Sequence, residues 1–247
     1  MNIISLKSLR NVRELSYGEI RNNRLIRGQA LHRVSKRDLN KLKELYCLNS
    51  VIDLRTEQEV NDKKDKLIDG VDYHHIPLIP MEELGIKSEK EGRQNVLKEH
   101  KLPDICEYYQ KLVAPSRKEA WTKIFDTLLS NEKGATYIHC TVGKDRCGIV
   151  SAIILSALDV DINTIKTDYL LTNNDSIIPW TYRVFALSLR DKKFRHEFLE
   201  YFTAKEMYLD AALTYIEETY GSIANFLKEI CSLDDIKINK LRKLYLK

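Results

Sequence analysis

The 247-residue sequence lacks what a disulfide framework or a structural zinc site would need. Its five cysteines, Cys47, Cys106, Cys140, Cys147 and Cys231, are an odd, scattered set with no Cys-x-x-Cys spacing. No stretch reaches the roughly 18 apolar residues of a membrane span. There is no internal repeat, no low-complexity tract and no linker that would divide the chain, so one domain over residues 1–247 is expected. Met1 to Leu15 interleaves Lys7, Arg10 and Arg13 with apolar residues and has neither the apolar h-region nor the cleavage site of a secretory signal. The expectation is a cytoplasmic, monomeric protein, or a mature product whose signal has been removed. No segment resembles a nucleic-acid recognition motif or an aromatic-interleaved basic strip, so nucleic acid is not an expected partner.

The net charge is only +4, but it is unevenly placed. Residues 1–37 hold nine Lys or Arg against Glu14 and Glu19, a local +7. Such a cluster can draw in an anionic substrate or bring the protein into peripheral contact with an anionic membrane; a solvated basic face is the plainer reading.

Chemistry concentrates between Ala135 and Leu158. Ala135 to Ile138 is a short apolar, β-favouring run, and Ile149 to Leu158 is an unbroken apolar stretch of helical length. Between them lies His139-Cys140-Thr141-Val142-Gly143-Lys144-Asp145-Arg146-Cys147-Gly148. A strand-to-helix loop aims several unpaired N–H groups at one point, where the helix dipole adds positive charge. Gly143 lets successive amides of Thr141, Val142 and their neighbours converge around a tetrahedral anion. Arg146 offers a planar two-pronged donor to two phosphate oxygens. In such surroundings Cys140 is favoured as thiolate, which makes it a nucleophile aimed at phosphorus. The spacing alone is weak, because five cysteines and 15 arginines produce a Cys-x5-Arg by chance roughly one time in three. Of the five, only Cys140 combines that arginine with a strand, a glycine and a helix. The competing reading is an inert core cysteine beside a solvated arginine.

Elsewhere, Ser35-Lys36-Arg37-Asp38 reads as a capped helix start, followed by Leu39, Leu42, Leu45 and Leu48 at helical spacing with Asn49 as a stop. Val51 to Leu54 reads as a buried strand and Thr56-x-x-Glu59 as the start of another helical turn. Asp53 and Arg55 fall at that strand's C-terminal end, where open α/β sheets bind ligands; an ion pair or a helix cap is the alternative. Tyr73 to Leu78 is a strand ended by Pro77 and Pro80, with His74 and His75 on opposite faces, one packed and one wet, a poor metal pair. Residues 82–113 read as a charge-rich helical insertion of the kind that forms a lid, with segments Glu89 to His100 and Asp104 to Leu112. Its Tyr108 and Tyr109 either line a pocket or anchor the insertion. Trp121, Ile124, Phe125 and Leu128 share one helix face. Residues 161–247 are mostly helical, with Asp161 as a cap, Pro179 as an opener and Gly221 as a stop.

Residues 139–146 resemble the signature loop of the cysteine-dependent protein tyrosine phosphatase superfamily, and Gly-Lys-Asp-Arg is similar to a bacterial group with mycobacterial and listerial members. Asn11 to Leu15, Arg24 to Leu31, Val51 to Thr56 through Glu59, and Tyr220 to Ser222 with Leu241-Arg242 resemble that group's other motifs. Ser16-Tyr17 replaces its glycine pair, and Cys147 replaces the hydroxyl residue after the loop arginine. The resemblance implies an α/β fold, a central mostly parallel sheet flanked by helices, with a helical lid at 82–113. It implies phosphomonoester hydrolysis through a cysteinyl-phosphate, without metal or cofactor. Phosphotyrosine is the first substrate, with phosphoserine, phosphothreonine and phosphoinositides as others. Asp145 is then the first choice for proton donor and Asp53 the second. Lys144 reaches a second phosphate or an inositol ring, or else pairs with Asp145 to order the loop; His139 orders it by hydrogen bonds. Cys147 is either a resolving thiol for oxidised Cys140 or a small packing residue. A sulfurtransferase, an arsenate reductase and a silent phosphate-binding module are the alternative functions.

Overall fold

A computed structural model of the protein describes residues 4, 6–80, 83, 98, 99, 101–175 and 180–247. Its centre is a five-stranded sheet in the order β1-β2-β5-β3-β4, built from β1 (Arg13–Glu14), β2 (Leu25–Gln29), β3 (Leu48–Asp53), β4 (Asp72–His75) and β5 (Ala135–Cys140). All pairings are parallel except the short β1 on β2, so the expected mostly parallel sheet is present. Parallel strands are covered on both faces and read as continuous apolar runs rather than alternating ones; β5, in the middle, is buried along its whole length.

Successive side chains still divide between the two faces. Ile26, Val51 and Tyr137 face a smaller core closed by the N-terminal segment and α1 (Lys36–Leu45). Leu25, Ile52 and Ile138 face the larger core. That core takes in α3 (Ile105–Leu112), α4 (Lys118–Ser130), α5 (Asp145–Ala157), α6 (Ile162–Leu170), α9 (Glu206–Tyr220), α10 (Ile223–Glu229) and α11 (Asp235–Tyr245). α5 is apolar on every side and correspondingly buried on every side. Gly148 lets it close on α6, since a Cβ there would stand 2.9 Å from the Tyr169 ring. α7 (Trp180–Ser188) and α8 (Lys192–Glu200) form a third, small cluster through Ala186, Leu189, Phe194 and Phe198, with Leu102 packed against it.

Several expectations shift. The leucine stripe of α1 ends early: Leu45 is 63% exposed, Cys47 turns the chain at φ 51°, and Leu48 begins β3. Ser35 caps α1 as expected, accepting from the Asp38 N–H. β4 stops at His75, and His74 and His75 are both half-buried rather than one packed and one wet. The basic N-terminal region is not one surface patch: Arg13, Arg24 and Arg27 are interior and hydrogen-bonded there. Of the 82–113 insertion, α3 is helical with Asp104 as its cap; the Glu89 to His100 segment lies outside the described residues apart from 98 and 99, which are helical. No helix among the described residues is long and apolar enough to cross a membrane.

Candidate active site

The parallel strands β2, β5, β3 and β4 end at the same edge of the sheet, which brings Cys140, Asp53 and His75 to one side. Cys140 is the last residue of β5 and is 2% exposed. The loop then turns through Gly143, at φ 76°, into α5. No side chain fits at Gly143, because a Cβ would lie 2.6 Å from the Gly28 carbonyl carbon and oxygen. α5 has no side-chain cap, so the N–H groups of its first turn remain for another acceptor.

The orientation of the loop amides follows from what holds its carbonyls. Asn11 Nδ2 donates to Gly143 O at 2.9 Å and to Val142 O at 3.2 Å. Arg27 Nη2 donates to Gly143 O at 2.8 Å and Lys144 O at 3.4 Å. Across a trans peptide the C=O and the next N–H point opposite ways. With those three carbonyls turned toward Asn11 and Arg27, the N–H groups of Gly143, Lys144 and Asp145 are turned away from them, as an anion nest requires.

The donors are themselves fixed by charge. Arg27 shares the sheet face of Leu25 and Ile138, a core position, and is fully buried. Its Nη1 meets Asp168 Oδ2 at 2.7 Å, while Arg13 Nε meets Asp168 Oδ1 at 2.8 Å and Arg13 Nη1 meets Asn11 Oδ1 at 2.5 Å. Tyr17, where the related group has glycine, adds its hydroxyl to Asp168 Oδ1 at 2.8 Å. Burial opposes ionisation of Asp168, but the Arg27 and Arg13 charges override it and hold the carboxyl below its ordinary range. None of Asn11, Arg13, Arg27, Tyr17 and Asp168 was singled out as a site residue by residue type; for Asn11, Arg13 and Arg27 the signal lay in the Asn11–Leu15 and Arg24–Leu31 resemblance, Tyr17 stood out only as a departure from it, and nothing marked Asp168.

Arg146 is held on the opposite flank. Its Nη1 and Nη2 bind Glu59 Oε2 and Oε1 at 2.5 and 2.9 Å. Glu59 completes the capping box of α2 (Glu57–Asp62) with Thr56, and the Thr141 hydroxyl also donates to it. Burial works to raise the Glu59 pKa; the Arg146 guanidinium, with hydrogen bonds from Thr141 and Thr56, brings it down to about 2. The box was legible in sequence, but the partnership with Arg146, 87 residues away, was not.

The two aspartates differ sharply. Asp53 is fully buried, chelated by Arg55 Nε and Nη2 at 2.9 and 2.7 Å and bonded by the Tyr73 hydroxyl at 2.6 Å. Burial opposes its ionisation, yet His139, Arg55 and Tyr73 hold it far below the carboxylate range. Arg55 is occupied by Asp53, Asp65 and Lys63 O. His139, buried, lies 3.0 Å from Asp65 through Nε2 and 3.2 Å from Cys140 O through Nδ1. Asp53, Asp65 and His139 gather closely enough to be considered as metal ligands, but Arg55 Nη2 lies against both carboxylates and answers their charge. Asp145 instead keeps its side chain 24% exposed, next to the nest. Its Oδ1 accepts from the Tyr109 hydroxyl at 2.8 Å and lies 3.3 Å from Lys144 Nζ. Lys144 is only 2% exposed and donates to Tyr201 O at 3.0 Å, so its ammonium does not extend into the open loop. Tyr108 is half-buried within electrostatic reach of Arg146, Asp145 and Cys140. Cys147 is buried with its thiol 3.3 Å from Ile138 O, and burial pushes its pKa up.

A thiol beside an amide nest, with a guanidinium held ready by a carboxylate, is the arrangement of the cysteine-dependent tyrosine phosphatase superfamily. The family model described as "Tyrosine phosphatase family" matches residues 4–247, and the chain belongs to that family. It is 26% identical to the triple specificity protein phosphatase PtpB of Mycobacterium tuberculosis over 259 aligned positions, covering 92% of each chain. It is 28% identical to a tyrosine-protein phosphatase of Nostoc commune, over 49% of this chain and 39% of that one. Among solved structures, the core catalytic domain of the PP-IP phosphatase SIW14 from S. cerevisiae, in complex with citrate, aligns with a TM-score of 0.39 at 16% identity, over 90% and 98% of the two chains.

Proposed function

We propose that the protein hydrolyses phosphotyrosine through a cysteinyl-phosphate formed on Cys140, with phosphoserine, phosphothreonine and phosphoinositides as further substrates. The observation that carries this reading is the nest itself: three carbonyls pinned by Asn11 and Arg27 beside a strand-end cysteine. The Cys140 thiolate attacks phosphorus, the P–O bond to the substrate breaks, and Asp145 gives its proton to the departing oxygen. Water then attacks the cysteinyl-phosphate, yields a proton to the Asp145 carboxylate and breaks the S–P bond, releasing phosphate and the thiolate. The Thr141 to Arg146 amides and the Arg146 guanidinium meet the charge on the non-bridging oxygens in both steps. Asp145 is preferred to Asp53 as donor because Asp53 is sealed in its pair with Arg55, whereas Asp145 is partly open. No metal is needed for any step.

Wild type and Cys140→Ser, assayed on a phosphotyrosine peptide and a phosphoinositide panel with EDTA and dithiothreitol, test it. Wild-type turnover that vanishes in the variant is expected, and the preferred panel separates protein from lipid substrates. A folded, reduced wild type inert on both panels would overturn the reading in favour of a binding module or another thiolate chemistry.

A further inference from the structure

Tyr109 lies in α3, 36 residues before Asp145, and is fully buried. Its hydroxyl is 2.8 Å from Asp145 Oδ1 and 2.6 Å from the hydroxyl of Tyr169 on α6. Its ring is fixed edge-on against Tyr169, centroids 6.2 Å apart at 80°, and rests on Tyr208 of α9 at 5.9 Å. The fixed ring leaves the hydroxyl two acceptors, Asp145 Oδ1 and the Tyr169 oxygen; with Tyr169 donating to it, its own proton goes to Asp145 Oδ1. With the Lys144 ammonium also 3.3 Å away as an ion pair, Oδ1 carries both the phenol's hydrogen bond and the nearby positive charge, and among the described residues no donor is on Oδ2. A carboxyl oxygen that already accepts a hydrogen bond and faces a cation is a poor seat for a proton, so the acid's proton belongs on Oδ2.

We propose that Tyr109, backed by Tyr169, is a positioning residue for proton transfer: it holds Asp145 by Oδ1 so that Oδ2 faces the leaving oxygen with the proton. This rests on Asp145 being the general acid. Burial and then the Asp145 charge push the Tyr109 phenol well above its usual range, so Tyr109 stays a neutral donor and does not replace Asp145 as acid. The placement also ties the chemistry to the 82–113 insertion. Whatever displaces α3 removes the fixture of the acid while leaving the nest, held by Asn11 just before β1 and by Arg27 of β2, intact.

Leaving-group dependence tests this. A general acid matters most when the departing oxygen is basic, so kcat/KM is measured on aryl phosphates from dinitrophenyl phosphate to phenyl phosphate for wild type, Asp145→Asn, Tyr109→Phe and Tyr169→Phe. Asp145→Asn is expected to lose roughly 100-fold or more on phenyl phosphate and little on dinitrophenyl phosphate. Tyr109→Phe is expected to show the same tilt, about tenfold on phenyl phosphate and under about twofold on the activated ester, with Tyr169→Phe weaker again. Vanadate affinity, which reads the nest, stays within about twofold in all three. A Tyr109→Phe loss equal on every ester, or none, overturns the proposal, and Tyr169→Phe decides if Tyr109→Phe folds poorly. If Asp145→Asn itself shows no tilt, the acid assignment has failed instead.

Discussion

The two sides of the signature loop are held by different means. The carbonyl side rests on buried charge: Arg27 and Arg13 share Asp168, and the Arg27 and Asn11 side chains carry the loop. The acid side rests on the phenols of Tyr109 from α3 and Tyr169 from α6, and on Lys144 of the loop itself, tied to the Tyr201 carbonyl just after α8. Buried ion pairs contribute little net stability but are costly to break, because the surviving charge has no solvent. Tyrosine hydroxyls on a partly exposed carboxylate are cheaper to lose. The nest is therefore built to be invariant, and the acid to depend on how the helical half docks against it.

The sharpest way to break this comparison is Asp168→Asn. It leaves two guanidiniums facing each other in the interior and should lower unfolding free energy by about 3–5 kcal/mol, read by urea denaturation. Tyr109→Phe should cost about 1 kcal/mol in the same assay. If the two variants cost the same, the distinction between a charged platform and an adaptable acid side is lost.

This asymmetry also marks what the sequence could reveal. The proposed acid and nucleophile lie with Arg146 within one continuous loop, so the chemistry proposed for them is legible in seven residues. Strands β3 and β5 and the Trp121 helix announced themselves through apolar runs. β2 did not, because Arg27 stands on its core face, and an arginine there reads as solvent-facing until Asp168, 141 residues on, is known to meet it. Tyr109 reads as a pocket-lining or anchoring residue of the insertion and Tyr169 is not singled out; what distinguishes the pair is a hydroxyl-to-hydroxyl contact across 60 residues. Asp53 and Arg55 looked poised at a strand end, and the structure closes them on each other. Pairings over such distances leave no local periodicity to detect.

The Arg146 flank is set apart from both sides by its dependence on pH. Glu59 has its pKa lowered from near 4.5 to about 2, so its contribution to folding is present in full above pH 4.5 and lost as pH falls toward 2. The depression corresponds to about 3 kcal/mol at most. Glu59→Gln should flatten that part of the stability–pH curve and, at neutral pH, loosen Arg146 and weaken vanadate binding. A variant that keeps the wild-type slope between pH 4.5 and 2 would assign the acid sensitivity to another carboxylate.

The smallest effect is expected at Cys147. Its side chain is fully enclosed and directed at Ile138 O, so a serine there can make the same donation with a shorter reach. Cys147→Ser should change stability by roughly 0.5 kcal/mol. Resolving an oxidised Cys140 would require Cys147 as thiolate, and burial disfavours that form. Peroxide treatment of wild type should therefore add oxygen to Cys140 rather than remove two hydrogens from the pair, as read by intact mass. Loss of two hydrogens in wild type but not in Cys147→Ser would show that the loop can move Cys147 off Ile138 O. The rigidity assigned to the nest side would then have to be given up.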